Sequence, residues 1–399
     1  MQNMKITLIA SDEVTAPLYR VRALARMLQR AFDVEVLGFS FESGKGDPRS
    51  PRDFPYTAIP VPPSRSWVDA ERELRARITG DLLYAMKPRP SSFGVALRHR
   101  ASSGLPVVVD IDDWELFMIH PWSRYTLKNM AYALARLDYP NHYLATWALD
   151  KRIRSADGVT VVSSFLQARY GGALTPQYVD IDTFDPVVQP REDLRSQLRC
   201  EGQHVIVFAG IAQPGKGVGE IIQALQLLDD SMQNWQLLIV GPQTPYARAV
   251  AQCDERVRLI GMYPPSATPQ FLAIADLIVL PQQPVPVALG QMPMKLYEAM
   301  AMGLPIVATA VSDIPELLDG CGLVVPPGDR PALARAIESV LCNPALARRL
   351  GRAARARITT HYSCDIGADE LRAYFTSVAR LMPHRKSGAG LTPLSASCT

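Results

Sequence analysis

Two stretches of this 399-residue chain carry residue types suited to holding phosphate. The first is VIVFAGIAQPGKGVGEIIQAL, Val205–Leu225, where an apolar run ends at Gly210 and an amphipathic pattern begins near Gly217. A glycine-containing loop between strand and helix lets backbone N–H groups and a helix N-terminus meet an anion. Lys216 adds a compact positive charge. Gly210, Gly215 and Lys216 even have the G-x-x-x-x-G-K spacing of a P-loop. Gly217, however, stands where that motif needs a hydroxyl for magnesium, which argues against a P-loop ATPase. The bland alternative is a plain turn with a solvated lysine.

The second stretch is PMKLYEAMAMG, Pro293–Gly303. Pro293 suits a first helical position and Gly303 a stop. Lys295 and Glu298, three apart, share a face. A cation in a first turn is disfavoured by the helix dipole, and a bound anion such as pyrophosphate would offset that. Glu298 suits two adjacent hydroxyls, as on a ribose. As a bare i,i+3 ion pair the arrangement would contribute only about 0.2–0.5 kcal/mol.

Carboxylates form a third group. VVVDIDDWE, Val107–Glu115, reads as a strand ending in Asp110, Asp112 and Asp113. Acids at a strand's carboxyl end suit acceptor binding or proton handling. Asp110-x-Asp112 also has a metal-holding spacing, which stays open beside a structural role for Asp110. Near the first strand, Asp12, Arg20 and Arg22 offer phosphate contacts, or solvated helix positions. His99, His120 and His142 read as surface or structural residues. Arg65–Arg100 reads as a mixed solvated helix, with contact to anionic lipid as the alternative.

These residues need scaffolding, and the chain supplies short apolar runs alternating with amphipathic segments, the mark of parallel sheets. The first series of strands is Ile6–Ala10, Val34–Gly38, Leu82–Met86, Val107–Ile111 and Val159–Val162. The second is Val205–Ala209, Leu237–Val240, Val257–Ile260, Leu277–Leu280, Pro305–Ala308 and Gly322–Val325. Helices are expected at Leu18–Ala31, Ser123–Arg154, Val218–Leu228, Pro293–Met302, Arg330–Leu341 and Ala345–Thr359. Residues 40–66 read as a long loop. The Pro- and Asp-rich Thr175–Asp193 reads as a linker. The expected division is 1–185 and 186–365, each an α/β domain of Rossmann-like type facing the other across a cleft. A helix at about 366–382 packs back on the first domain, and 383–399 is expected to be a disordered tail.

Composition narrows the function classes. The chain is 48% hydrophobic with a formal charge of +3, which excludes disorder and a strong global pull toward nucleic acid. Of its 42 basic residues only eight are lysines, and beyond residue 200 only Lys216, Lys295 and Lys386. The six cysteines include no C-x-x-C pair, so neither zinc nor a disulfide framework is expected. No apolar run reaches the roughly 18 residues of a membrane span, and MQNMKITLIA is too short for a signal peptide. A cytoplasmic protein is expected, with peripheral contact at the inner membrane face.

Taken in order, these segments resemble glycosyltransferase family 4, of GT-B fold. The matching stretches are Gly210–Gly217, the IVG of Ile239–Gly241, ADLIVLP (Ala275–Pro281), KLYEAMAMGLPIVAT (Lys295–Thr309), Glu316 and GLVVPPGD (Gly322–Asp329). ADGVTVVSSFLQARY (Ala156–Tyr170) and VDIDTFDP (Val179–Pro186) resemble the close of the family's first domain. The resemblance implies retaining transfer of a sugar from a nucleotide-diphosphate sugar to an acceptor hydroxyl, without a required metal or cofactor. It implies diphosphate contacts from Lys216 and Lys295, and ribose contacts from Glu298. Gly210, Gly215, Gly290, Gln291, Met292 and Leu296 would complete the donor site. Asp112 and Asp113 fall where the family usually has His–Asp, so Asp112 is expected to be catalytic and Asp113 to face the acceptor, as Asp12, Arg20 and Arg22 are expected to do from their own positions. The acceptor would be a carbohydrate or lipid-linked sugar in polysaccharide, lipopolysaccharide or glycolipid assembly. The chain departs from the family at Ile211, where an arginine is usual, and at Gly290, where the first of two paired glutamates is usual. Those departures motivate the rival expectation of a silent homologue that binds a nucleotide or a partner.

Overall fold

Runs such as VVVDI and LIVL stay apolar on successive positions because both faces of their sheets are covered. The computed structural model describes residues 4–11, 17–41, 56–62, 64–119, 141–228, 232 and 234–381. The first sheet holds β1 (Lys5–Ile9), β2 (Asp33–Ser40), β3 (Tyr56–Pro60), β4 (Leu82–Met86), β5 (Val107–Ile111), β6 (Gly158–Val161) and β7 (Ala173–Leu174). The second holds β8 (His204–Ala209), β9 (Trp235–Val240), β10 (Val257–Gly261), β11 (Leu277–Leu280), β12 (Ile306–Thr309) and β13 (Leu323–Val325).

The strand orders are 3-2-1-4-5-6-7 and 10-9-8-11-12-13, and every described pairing is parallel. Strand order therefore reverses beside β1 and β4 in one sheet and beside β8 and β11 in the other. At such a switch point adjacent loops part and leave a crevice beyond the carboxyl ends of the strands. Each sheet has an apolar cluster on either face. The expected architecture of two parallel-sheet α/β units is thus present.

Three elements differ from the sequence reading. Tyr56–Pro60, inside the expected loop, is a strand at the sheet's edge beside β2, where Pro60 costs no ladder hydrogen bond. The expected long helix from Ser123 does not run through to Arg154: a helix begins at Tyr143, with His142 Nδ1 accepting the Ala145 N–H at 3.3 Å. His142 is therefore a structural cap. Its earlier part, 123–140, lies outside the described residues, as do Asp12, His120 and the tail 383–399. Pro293 caps the helix Met294–Ala301 instead of opening it.

The chain crosses between the sheets twice. It leaves after β7 and returns to the first sheet through the helix Cys364–Leu381, whose Leu371, Phe375 and Val378 join the cluster under β1 and β4. The two crossings pair with each other: Val179 N–H donates to Tyr362 O at 2.9 Å, and Cys364 N–H to Val179 O at 3.0 Å. Among the described residues, no helix is long and apolar enough to cross a membrane.

Candidate functional site

The glycine loop leaves β8 and passes through a tight turn at Pro214–Lys216. Gly217 then caps the helix Val218–Leu225 with φ +73°. A Cβ on Gly217 would lie 1.9 Å from the Pro281 carbonyl oxygen, after β11. Space, as well as backbone conformation, forbids the hydroxyl residue that a P-loop places there. Gly241 is equally confined, its Cβ position 2.2 Å from Gly210 O. Gly210 has φ +123°, and a Cβ there would meet Lys295 Nζ at 2.8 Å. Glycine at 210 therefore makes the space that the lysine head occupies. Ile211, at the position where an arginine is usual in the resembling family, is 45% exposed.

Lys295 projects from the first turn of Met294–Ala301, a turn without an acidic residue. Its Nζ lies 4.0 Å from the centre of the Phe208 ring. Among the described residues no carboxylate comes within ion-pair distance of it. Burial pushes the ammonium down to about 7, Lys216 pushes the same way, and Glu298 opposes both. Glu298 is pushed up to about 7 by burial, against the pull of Lys295. Lys216 is also lowered by burial, with Asp113 opposing, and donates to Gln291 Oε1 at 2.8 Å. Two ammonium groups repel each other here, and among the described residues neither forms an ion pair with a carboxylate, an environment that favours an anion.

The other donor-side candidates divide. Leu296 is fully buried in the core and its N–H donates to Pro293 O at 2.9 Å, so its side chain faces away from the cleft. Gln291 N–H is spent on Ala288 O. Gly290 and Met292 use their carbonyls across the cleft, accepting from Ser163 Oγ at 3.0 Å and Gln177 Nε2 at 3.2 Å. A Cβ at Gly290 would stand 3.4 Å from Trp114 N and from Leu166 Cδ2, so the first domain packs directly over this position. Gly215 is sterically free, its Cβ position 3.5 Å from Val285.

On the first-domain side Asp110 is a structural residue, not a metal ligand. It is fully buried, its Oδ2 accepting from Arg20 Nε and its Oδ1 from Arg20, Tyr84 and Thr160. Arg20 corrects the phosphate-contact expectation. Besides its two bonds to Asp110, it donates to Thr175 O, Pro176 O and Gln177 Oε1, which uses all five guanidinium N–H groups. Burial alone would lower its pKa; the Asp110 carboxylate more than reverses that. Arg22, half-buried on the same helix, is likewise engaged.

Asp112 and Asp113 do face the cleft, and a residue the sequence reading missed holds them. Lys87 follows β4, is 3% exposed and has φ +69°, a left-handed backbone. Its Nζ donates to Asp113 Oδ2 and Glu115 Oε1 (2.7 Å) and lies 3.2 Å from Asp112 Oδ1. Arg89 adds a 2.7 Å bond to the other oxygen of Glu115. Asp112, Asp113 and Glu115 each offer an oxygen within 4.8 Å of the others, a spacing a cation accepts. That cation is the lysine, and a divalent ion would have to displace it. The missed signal was a lysine immediately after an apolar strand, in AMKPRP.

Gln291 joins the two sides. Its Nε2 donates to Asp113 while its Oε1 accepts from Lys216. The arrangement sets two lysines without an ion-paired carboxylate and an uncommitted glutamate on one wall of a cleft, and a lysine-held carboxylate cluster on the other.

Comparison with known proteins agrees with this architecture. Residues 203–343 match the family described as glycosyl transferases group 1. The chain is 24% identical to alpha-D-kanosaminyltransferase of Streptomyces kanamyceticus over 69% of its own length and 71% of that protein's. Its fold is similar to HepE of Anabaena, solved with UDP-glucose, at TM-score 0.70 and 18% identity, covering 94% of this chain and 100% of that one. It is also similar to sucrose-phosphate synthase from Thermosynechococcus elongatus, at TM-score 0.69 and 21% identity, covering 94% and 99%. The chain has a GT-B-type fold, and its residues 203–343 are similar to the glycosyl transferases group 1 family.

Proposed function

We propose that this glycosyltransferase-type chain moves a sugar from a nucleotide-diphosphate sugar to an acceptor hydroxyl, with retention at the anomeric carbon and without a required metal. One observation carries the reading. Lys216, from the glycine loop, and Lys295, from the first turn of Met294–Ala301, come to one place, with no carboxylate paired to Lys295 among the described residues. A departing diphosphate supplies the negative charge that this wall lacks. Glu298, on the same helix face, accepts the ribose hydroxyls. The complex of the similarly folded HepE with UDP-glucose supports a nucleotide sugar as donor.

The first domain presents the acceptor. Asp112 orients its hydroxyl, which attacks on the face from which the diphosphate leaves, and a diphosphate oxygen takes the proton. Closing the cleft brings the two substrates together and excludes water. A carbohydrate or lipid-linked acceptor in polysaccharide, lipopolysaccharide or glycolipid assembly, used at the inner membrane face, fits this reading.

The test is transfer by the purified protein across a panel of nucleotide sugars and acceptors, with a metal chelator present. Transfer that Lys295→Ala and Lys216→Ala each reduce by at least about 100-fold supports the reading. Gly290 favours a second reading, a silent nucleotide-binding homologue, because no side chain at that position reaches toward a donor sugar. Nucleotide binding with no transfer to any acceptor or to water would favour that alternative.

A further inference from the structure

The cluster around Lys87 is short of positive charge, and the shortage is unevenly shared. Two cations, Lys87 and Arg89, face three carboxylates, Asp112, Asp113 and Glu115. Arg20 and Asp110, just behind, neutralise each other and leave the count unchanged. Glu115 takes both cations, one on each oxygen. Asp113 takes Lys87 on one oxygen and Gln291 on the other. Asp112 receives the remainder: its Oδ1 is buried 3.2 Å from Lys87, without a hydrogen-bond donor. The lysine reaches this position through a left-handed backbone that non-glycine residues adopt only at a cost.

We propose that Lys87 is a positioning residue for the acceptor side. By gripping Asp113 and Glu115 it holds Asp113 where it meets Gln291. With its ammonium 3.2 Å from the buried Asp112 Oδ1 it also anchors that carboxylate, and the acceptor hydroxyl meets the part of Asp112 that stays exposed. This rests on the reading of the chain as a sugar transferase and names the residue that sets its acceptor geometry. No covalent step passes through Lys87; it moves no proton and touches neither substrate.

A second consequence concerns pH. Burial pushes the Asp112 carboxyl up to about 6, Lys87 opposes that, and Asp113, Asp110 and Arg20 also act on it. Removing the ammonium leaves only Arg20 to oppose burial and the neighbouring carboxylates, so Asp112 would lose its proton only at higher pH.

The experiment measures steady-state transfer by Lys87→Met and Lys87→Arg across pH 5–9, with a nucleotide sugar and acceptor that the wild-type protein uses. The expected result for Lys87→Met is an acceptor KM raised at least about tenfold, donor KM within about twofold, and an acid limb moved up by about one pH unit or more. Lys87→Arg restores part of the acceptor affinity and returns the limb toward its wild-type position. Calorimetric binding of the free nucleoside diphosphate shows whether each variant is folded and competent on the donor wall. Equal losses in donor and acceptor parameters with an unmoved acid limb would make Lys87 merely structural and overturn the proposal. So would unaltered acceptor kinetics. Absence of transfer in the wild-type protein, by contrast, would count against the activity itself.

Discussion

Ser164 and Asp313 face each other across the cleft, and the Asp313 carboxylate accepts both the Ser164 N–H, at 2.7 Å, and its hydroxyl. Asp313 thereby binds the first turn of Ser164–Tyr170 from the opposite domain, next to Ser312 with its φ of +54°. Hydrogen bonds to a charged group contribute about 1.5–3 kcal/mol each, so this pair favours the closed arrangement. Asp313→Ala is expected to open the cleft, seen as a larger radius of gyration in small-angle scattering. Ser164→Ala, which keeps the backbone donor, should open it less. Identical scattering from wild type and Asp313→Ala would remove the pair from any role in closure.

Arg20 and Asp110 predict a different response. Breaking one partner of a buried ion pair leaves an uncompensated charge and costs about 3–5 kcal/mol. Arg20→Met should lower the denaturant midpoint accordingly, and Arg20→Met with Asp110→Asn should recover part of the loss. A phosphate contact at Arg20 would instead lower ligand affinity without changing stability, and chemical unfolding separates the two outcomes.

Gly217 and Gly215 form a matched pair of tests. Alanine at 217 meets Pro281 O and a positive φ, whereas alanine at 215 meets only van der Waals contact with Val285. The conformational strain alone costs about 1–2 kcal/mol, before the clash is relieved. Thermal unfolding should register Gly217→Ala and pass over Gly215→Ala. If both unfold alike, the loop is more yielding than its packing implies.

What was readable in the sequence follows the range of the interactions. The Lys216 loop and the Lys295 helix were legible because strand, turn and helix signals lie within about ten residues of each other. Lys87 was not, since its meaning comes from acids 25–28 positions later that meet it only when β4 pairs with β5. Arg20 was misread for the same reason: a surface-like helix pattern concealed a partner 90 residues away. The strand at Tyr56–Pro60 was hidden by prolines that an edge position tolerates. Gly290 was identified as a departure, but Trp114 above it could come only from the folded chain.

The titration of the donor wall gives opposite slopes for its two groups. Lys295 is depressed from 10.5 to about 7, so its contribution to stability is full above 10.5 and is lost as pH falls toward 7. Glu298 is raised from 4.5 to about 7, so its contribution is full below 4.5 and is lost as pH rises toward 7. Their joint contribution is smallest near neutrality. A diphosphate that needs the lysine charged should bind progressively less tightly above about pH 7, by up to about tenfold per pH unit. Calorimetric titration with a nucleoside diphosphate checks this, with Lys295→Met as the control that flattens the profile. A wild-type affinity independent of pH between about 7 and 9 would contradict it.

The paired crossings at Val179 and Ser363 also dictate an order of assembly. Both ends of the described chain belong to the sheet that is synthesised first, and the second sheet is an uninterrupted insert between them. The insert can finish folding from its own residues as it emerges from the ribosome. The earlier half must wait for Leu371, Phe375 and Val378, with one face of its core covered only in part until the last helix arrives. The domain whose residues are made first is the last to be completed.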